Sequence, residues 1–103
     1  MEGLAHYRQI IQDILLPMEN WKHDSPSIKL VAVFDEQRDR YLLARRGWQN
    51  GENVYSLVIH IEIEEGKVHL YRDYTDEEVY EQLLEGGVPE HDIVQAWLSP
   101  AER

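Results

Sequence analysis

Three side chains in the middle of this chain, His60, Glu62 and His69, are of the types that hold a divalent ion or move protons. Two imidazoles and a carboxylate are ordinary zinc ligands, and catalytic zinc takes three such groups and leaves a fourth position open. His60 and Glu62 are two apart and share a face if they lie on a strand, and His69 joins them if the chain doubles back. The expected register, however, sets His60 opposite Tyr71 and diagonal to His69, which suits a structural histidine packed on a ring as well as it suits a metal. A second polar group, Asp35, Arg38, Asp39 and Arg40, sets two carboxylates among arginines. Such a group can stabilise charge on a phosphoryl oxygen, but no lysine or further acid is tied to it by spacing. Alternating acids and arginines also read as a surface ion-pair lattice of small net value. Nucleophile elbow, phosphate loop, dinucleotide fingerprint and HExxH helix are all missing. No catalytic residue, metal ligand or cofactor is therefore assigned, and the chain reads as a non-enzyme.

The elements that must position these residues centre on the stretch 54–72. The odd positions Tyr55, Leu57, Ile59, Ile61 and Ile63 are all apolar, the period of a strand. Glu65-Gly66 offers a two-residue turn, with Gly66 free to take a positive φ. The hairpin then pairs Ile63 with Val68, Ile61 with Leu70 and Ile59 with Arg72. On its other face Glu64 meets Lys67, Glu62 meets His69 and His60 meets Tyr71. Upstream, residues 28–34 read as a strand buried on both faces, and residues 40–48 as its hairpin partner. Asn50-Gly51 is a strong hairpin signal into the next strand. One face of this meander aligns Val31, Leu42 and Ile59 with Val33, Ile61 and Leu70. The other aligns Ala32, Tyr41, His60 and Tyr71, with Leu30, Leu43 and Val58 beside them.

Leu4, Tyr7, Ile11, Ile14, Leu15 and Met18 recur at helical spacing, and Pro17 limits that helix to about the first sixteen residues. Residues 20–27 read as a loop from which Trp21 tucks against the core. Thr75 with Glu78 has the form of a capping box and opens an acidic helix over 76–85, closed by Gly86-Gly87. Val79, Leu83 and Leu84 are its buried stripe. Residues 93–98 read as a last short strand, and Arg72 as a marginal residue reaching an acid such as Asp76. The expected fold is α+β: a single domain, 1–103, with an antiparallel meander of four to five strands and one helix at each end. Two helices cover one face only, so the Tyr41, His60 and Tyr71 face needs another cover. A second copy of the chain, a partner, or the C-terminal segment could supply it.

Composition narrows the function further. Twenty acids against ten Lys and Arg give a net charge of −10. Residues 1–61 hold eight acids and seven bases, net −1, whereas residues 62–103 hold twelve acids and three bases, net −9. Between residues 73 and 92 there are eight acids and no Lys or Arg. Duplex binding relies on cationic side chains displacing counterions, so this half repels nucleic acid and steers toward basic partners. Arg38, Arg40, Arg45 and Arg46 are the only local basic group, yet Arg45 and Arg46 point to opposite faces of a strand. There are no cysteines, which removes disulfides and thiolate metal sites. The start lacks a signal-peptide pattern and no apolar run approaches a membrane span, so the expected setting is cytoplasmic.

The order F34-D35-x-x-R38-D39-R40-Y41-L42-L43, G47-W48, V58-x-H60-I61-E62-I63, G66-K67 and R72-D73 resembles the XisI family, the fdxN element excision controlling factors of cyanobacterial type. G87-V88-P89 and I93-V94 extend the resemblance over nearly the whole chain. The chain departs from that pattern at Tyr74-Thr75-Asp76, where the family has a D-G-T-like turn. It departs again at residues 96–100, where the family tends toward G-F-x-P-P. The resemblance implies control of the excision of a DNA element, alongside a recombinase and a nuclease-like companion, XisH; it carries no catalytic residues. Joined to the charge, it gives the leading expectation: a non-catalytic factor that grips a basic XisH-like partner through Asp76, Glu77, Glu78, Glu81 and Glu85, touching nucleic acid only indirectly. The alternatives are a DNA-binding accessory factor using the Arg38–Arg45 region and a metal-dependent enzyme at His60, Glu62 and His69. Self-association as a dimer through Tyr41, His60 and Tyr71 is a further expectation.

Overall fold

The computed structural model describes residues 2–21 and 25–103. Helix α1 (Glu2–Leu15) runs into a 3-10 turn (Leu16–Asn20). Pro17 stands at its start, where a missing N–H costs nothing. Strands β1 (Ile28–Asp35), β2 (Arg40–Gln49), β3 (Glu52–Glu64) and β4 (Lys67–Asp73) form the meander, followed by α2 (Val79–Gly86) and β5 (Ile93–Gln95). The sheet has five strands in the order β1-β2-β3-β4-β5. Its last pair differs from a pure meander: β5 lies parallel to β4, because α2 intervenes as a crossover. Asn50-Gly51 and Glu65-Gly66 both turn with positive φ at each residue (53° and 79°, 53° and 77°), the hand that matches strand twist. Among the described residues no helix is long and apolar enough to cross a membrane.

Two extra residues decide which side chains face the core. From the Asn50-Gly51 turn the β2–β3 pairing runs regularly to Ala44 opposite Leu57, and then Leu43 pairs with Ile59. Val58 is the bulged residue, and beyond it each partner is displaced by one. Tyr41 consequently lies opposite Ile61, and Leu42 opposite His60, the reverse of an unbroken ladder. A second bulge at Tyr71 lies between the Ile61–Leu70 and His60–Arg72 pairs. The expected pairs Ile63–Val68, Ile61–Leu70, Glu64–Lys67 and Glu62–His69 are present. Ile59–Arg72 and His60–Tyr71 are replaced by Ile59–Asp73 and His60–Arg72.

Both helices pack on the face carrying Tyr41, Leu43, Ile59, Ile61, Ile63, Val68 and Leu70, where Ile11, Leu15, Val79 and Leu83 are fully buried. Each such aliphatic side chain contributes roughly 1.5–3 kcal/mol. Neither α1 nor α2 covers the opposite face, so β1 is not buried on both sides, and Val33 is 49% exposed. Trp21 does not reach the core; it is 40% exposed at the end of the 3-10 turn. The remainder of that loop, residues 22–24, lies outside the described residues.

A clamp fixes α1 to the sheet. Arg8 Nε and Nη2 donate to the two Asp39 carboxylate oxygens at 2.7 and 3.1 Å, and Tyr41 Oη donates to Asp39 at 2.8 Å. Asp39 is thus an anchor between helix and hairpin, while the surface pair in this turn is Arg38 with Asp35 at 3.2 Å. The Arg8 guanidinium holds the Asp39 carboxyl below the usual carboxylate range, with Tyr41 adding a donor and burial opposing. Burial and the Asp39 contact push the Tyr41 phenol up.

Two outcomes follow from this geometry. Tyr41→Ala is expected to cost about 3–5 kcal/mol in urea unfolding, the range for a fully buried aromatic. Leu42→Ala on the open face should cost well under half of that, and the reverse ranking would refute the register. Because folding depresses the Asp39 pKa, its contribution is complete above the ordinary Asp value of about 3.9 and is lost as pH falls through the lower folded value. The stability gap between wild type and Asp39→Asn should therefore narrow as pH drops below about 4. A constant gap across a pH series of unfolding midpoints would show that the clamp is not ionic.

Candidate functional site

The acidic stretch between β4 and β5 is organised by Asp73, which is not one of the five carboxylates expected to bind a partner. Asp73, the last residue of β4, accepts from Thr75 N (2.9 Å) and Thr75 Oγ1 (2.6 Å) through one oxygen, and from Val79 N (3.1 Å) through the other. The capping box is not formed. Thr75 donates its hydroxyl to Asp73, Glu78 takes a left-handed conformation (φ 51°) without a side-chain cap, and α2 starts at Val79 rather than at residue 76. A carboxylate is the stronger acceptor for these donors, and it captures the first helical N–H from six residues away. The Asx-turn signal, an Asp two residues before Thr75, was present in the sequence.

This delayed start divides the five predicted carboxylates. Asp76, Glu77 and Glu78 sit on the bend before α2, while Glu81 and Glu85 stand one turn apart on the helix; all five are exposed. The arginine ion pairs form elsewhere, with Arg8 on Asp39, Arg38 on Asp35 and Arg40 on Glu62. Beside the bend, α2 and β4 wall a cleft of about 960 Å³ whose lining includes Tyr74, Tyr80 and Trp97. Tyr74 is 70% and Trp97 49% exposed. The guanidinium of Arg72 lies 4.5 Å from the centroid of the Tyr74 ring, and its Nη1 donates to the Leu57 carbonyl at 3.4 Å. The bulge at Tyr71 puts Arg72 opposite His60, so it neither faces Ile59 nor reaches Asp76 as expected.

The open sheet face gathers the histidines without making a metal site. His60 Nε2 is 2.7 Å from Glu62 Oε2, whereas His69 Nδ1 is 3.9 Å from Glu64. Tyr71 separates the two imidazoles, its ring 5.1 Å from His60 and 6.2 Å from His69, and it donates to Glu64 at 2.8 Å. That bond raises the Tyr71 phenol and lowers the Glu64 carboxyl. Among the described residues no three His, Asp or Glu converge as metal ligands. Tyr41 is not on this face. It is fully buried beneath the helices, so Tyr41, His60 and Tyr71 form no common surface, and association through this side would bury Val33 and Leu42 instead. Arg40 lies on the open face opposite Glu62, and Arg45, an odd number of residues along β2, points to the other side; the three arginines Arg38, Arg40 and Arg45 make no single basic patch.

The chain matches the family described as XisI protein over residues 1–103. It belongs to the XisI family. A crystal structure of a XisI-like protein from Anabaena variabilis is similar at a TM-score of 0.90 and 29% identity, covering 97% of this chain and 92% of that one. A second, of the fdxN element excision controlling factor XisI from Anabaena variabilis, has a TM-score of 0.82 and 29% identity, covering 98% and 92%. No curated protein matches the chain. The helix–sheet arrangement, with its fifth strand, is therefore the XisI fold.

In this XisI-family chain Asp73→Ala should destabilise by about 1–2 kcal/mol, the range for a lost helix N-cap. Thr75→Ala should cost clearly less, since its hydroxyl is not the cap of Val79. Chemical unfolding of the two variants checks the order, and an equal or greater loss for Thr75→Ala would restore the capping box.

Proposed function

We propose that this protein is a non-catalytic controlling factor in the excision of a DNA element, acting by gripping a basic, XisH-like nuclease-type partner through Asp76, Glu77, Glu78, Glu81 and Glu85. The role in excision is supported by family membership and by the likeness to a protein described as an fdxN element excision controlling factor. The mode of action is carried by one observation: five exposed carboxylates fixed on one bend and helix, in a segment of net charge −9. Such a surface accelerates encounter with a positively charged protein and penalises approach to phosphate. A DNA-rearrangement factor that itself repels duplex works through a companion that binds it. No residue set of this chain is given a catalytic role.

Co-purification with an XisH-like companion tests the reading. Wild type should retain the companion at physiological salt, and the triple variant Glu77→Lys, Glu78→Lys, Glu81→Lys should weaken capture by at least about tenfold, as reversal of a charged docking surface does. Undiminished capture by the variant would refute this surface. A mobility shift of duplex by the isolated chain, fading steeply with salt, would favour direct DNA binding instead.

A further inference from the structure

Resting on the reading of a basic partner, we propose that the cleft between β4 and α2 receives a single arginine-bearing segment of that partner, laid as an added strand along residues 71–73. Three independent features of the cleft point to this occupant.

The first is backbone. β5 accompanies β4 only over Val68–Leu70, and along residues 71–73 no strand stands on that side among the described residues. At the opposite margin Glu19 accepts from one N–H of β1, that of Ala32, at 2.8 Å. A stretch of edge with no strand beside it is where an extended peptide adds to a sheet.

The second is the aromatic lining. Tyr74, Tyr80 and Trp97 face a space of about 960 Å³, too large for one side chain and suited to a short segment. Large rings left this exposed mark contact surfaces. Tyr74 holds the Arg72 guanidinium on one face, which leaves its other face and the rings of Tyr80 and Trp97 for an incoming cation.

The third is charge. Asp73, Glu78, Glu81 and Glu85 line the cleft against the one cation Arg72. Carboxylates beside rings select a guanidinium, which stacks on the ring and forks onto the acids, over a compact ammonium. The same carboxylates exclude a phosphate backbone.

The test uses the full chain and three fluorescent peptides of one sequence, bearing arginine, lysine or neutral citrulline. By anisotropy, wild type should bind the arginine peptide at least tenfold more tightly than the citrulline one, with lysine between. Trp97→Ala and Tyr74→Leu, which change no charge, should each weaken the arginine peptide by about tenfold, whereas Leu42→Ala should not. Amide shifts of residues 71–73 on titration should report the added strand. The melting temperature of each variant guards against misfolding, and Tyr74→Leu keeps apolar bulk should Trp97→Ala fail. Equal binding of arginine and citrulline peptides, or indifference to both ring variants, would overturn the proposal. If charge reversal abolishes companion capture while the ring variants leave capture and peptide binding intact, the acidic surface stands and the cleft falls. If the peptide binds through Trp97 and Tyr74 but wild type captures no XisH-like protein, the cleft stands and that partner falls.

Discussion

One inserted residue in β3 governs which half of this sheet becomes core. Val58 interrupts the β2–β3 ladder, and past it every partner on β2 is displaced by one position. Side chains alternate faces with a period of two, so a shift of one exchanges inside for outside along the whole remaining strand. Tyr41 moves under the helices and Leu42 moves to the open face. The bulge at Tyr71 makes the corresponding correction on β4, turning Arg72 away from Ile59 and toward His60. Without these two residues, one arginine would face the apolar layer and the tyrosine that binds Asp39 would face away from α1.

The Arg8–Asp39–Tyr41 clamp depends on that exchange. Asp39 sits in the turn before β2 with a positive φ of 53°, a conformation tolerated by aspartate. From there its carboxylate reaches both the helix guanidinium and the phenol two residues on. The same turn is tied to β3 by the Ile63 N–H on the Asp39 carbonyl at 3.0 Å. Helix, turn and sheet are therefore locked at one point, while Glu19 takes the Ala32 N–H of the β1 edge and the 3-10 turn buries Met18 against the sheet. The β4–β5 side, with a three-residue last strand and a helix that starts late, is left open.

The proposed partner contact lies where the fold is least closed. Acids of the C-terminal half are placed around the bend and α2 by Asp73, whose three contacts hold the chain from the end of β4 to the first residue of the helix. Aromatic side chains from β4, α2 and the segment after β5 converge on the same cleft. The histidines, which have the residue types for chemistry, are instead parted by Tyr71 and engaged with Glu62 and Glu64. Surface charge and ring exposure, rather than titratable pairs, are the features on which the proposed partner contact rests.

The hairpin turns, the strand periods, the first helix and the charge asymmetry were legible in the sequence because each is set by residues close together in the chain. Asn50-Gly51 and Glu65-Gly66 fix turn hand locally, and Pro17 fixes where α1 can continue. The fifth strand was legible as a short apolar run, but its parallel pairing was not, since direction depends on where the crossover helix delivers it. The bulges left no local signal: Val58 and Tyr71 are good strand residues, and only the competition between burying Tyr41 or Leu42 under two helices selects the displaced register. The capture of Val79 by Asp73 likewise outweighs a capping pattern that Thr75 and Glu78 could satisfy alone. Sequence by itself determined the elements and the sign of the charge, which are short-range and compositional. Only tertiary structure decided the faces, the helix start and the open edge, because those follow from packing layers against one another over long separations in the chain.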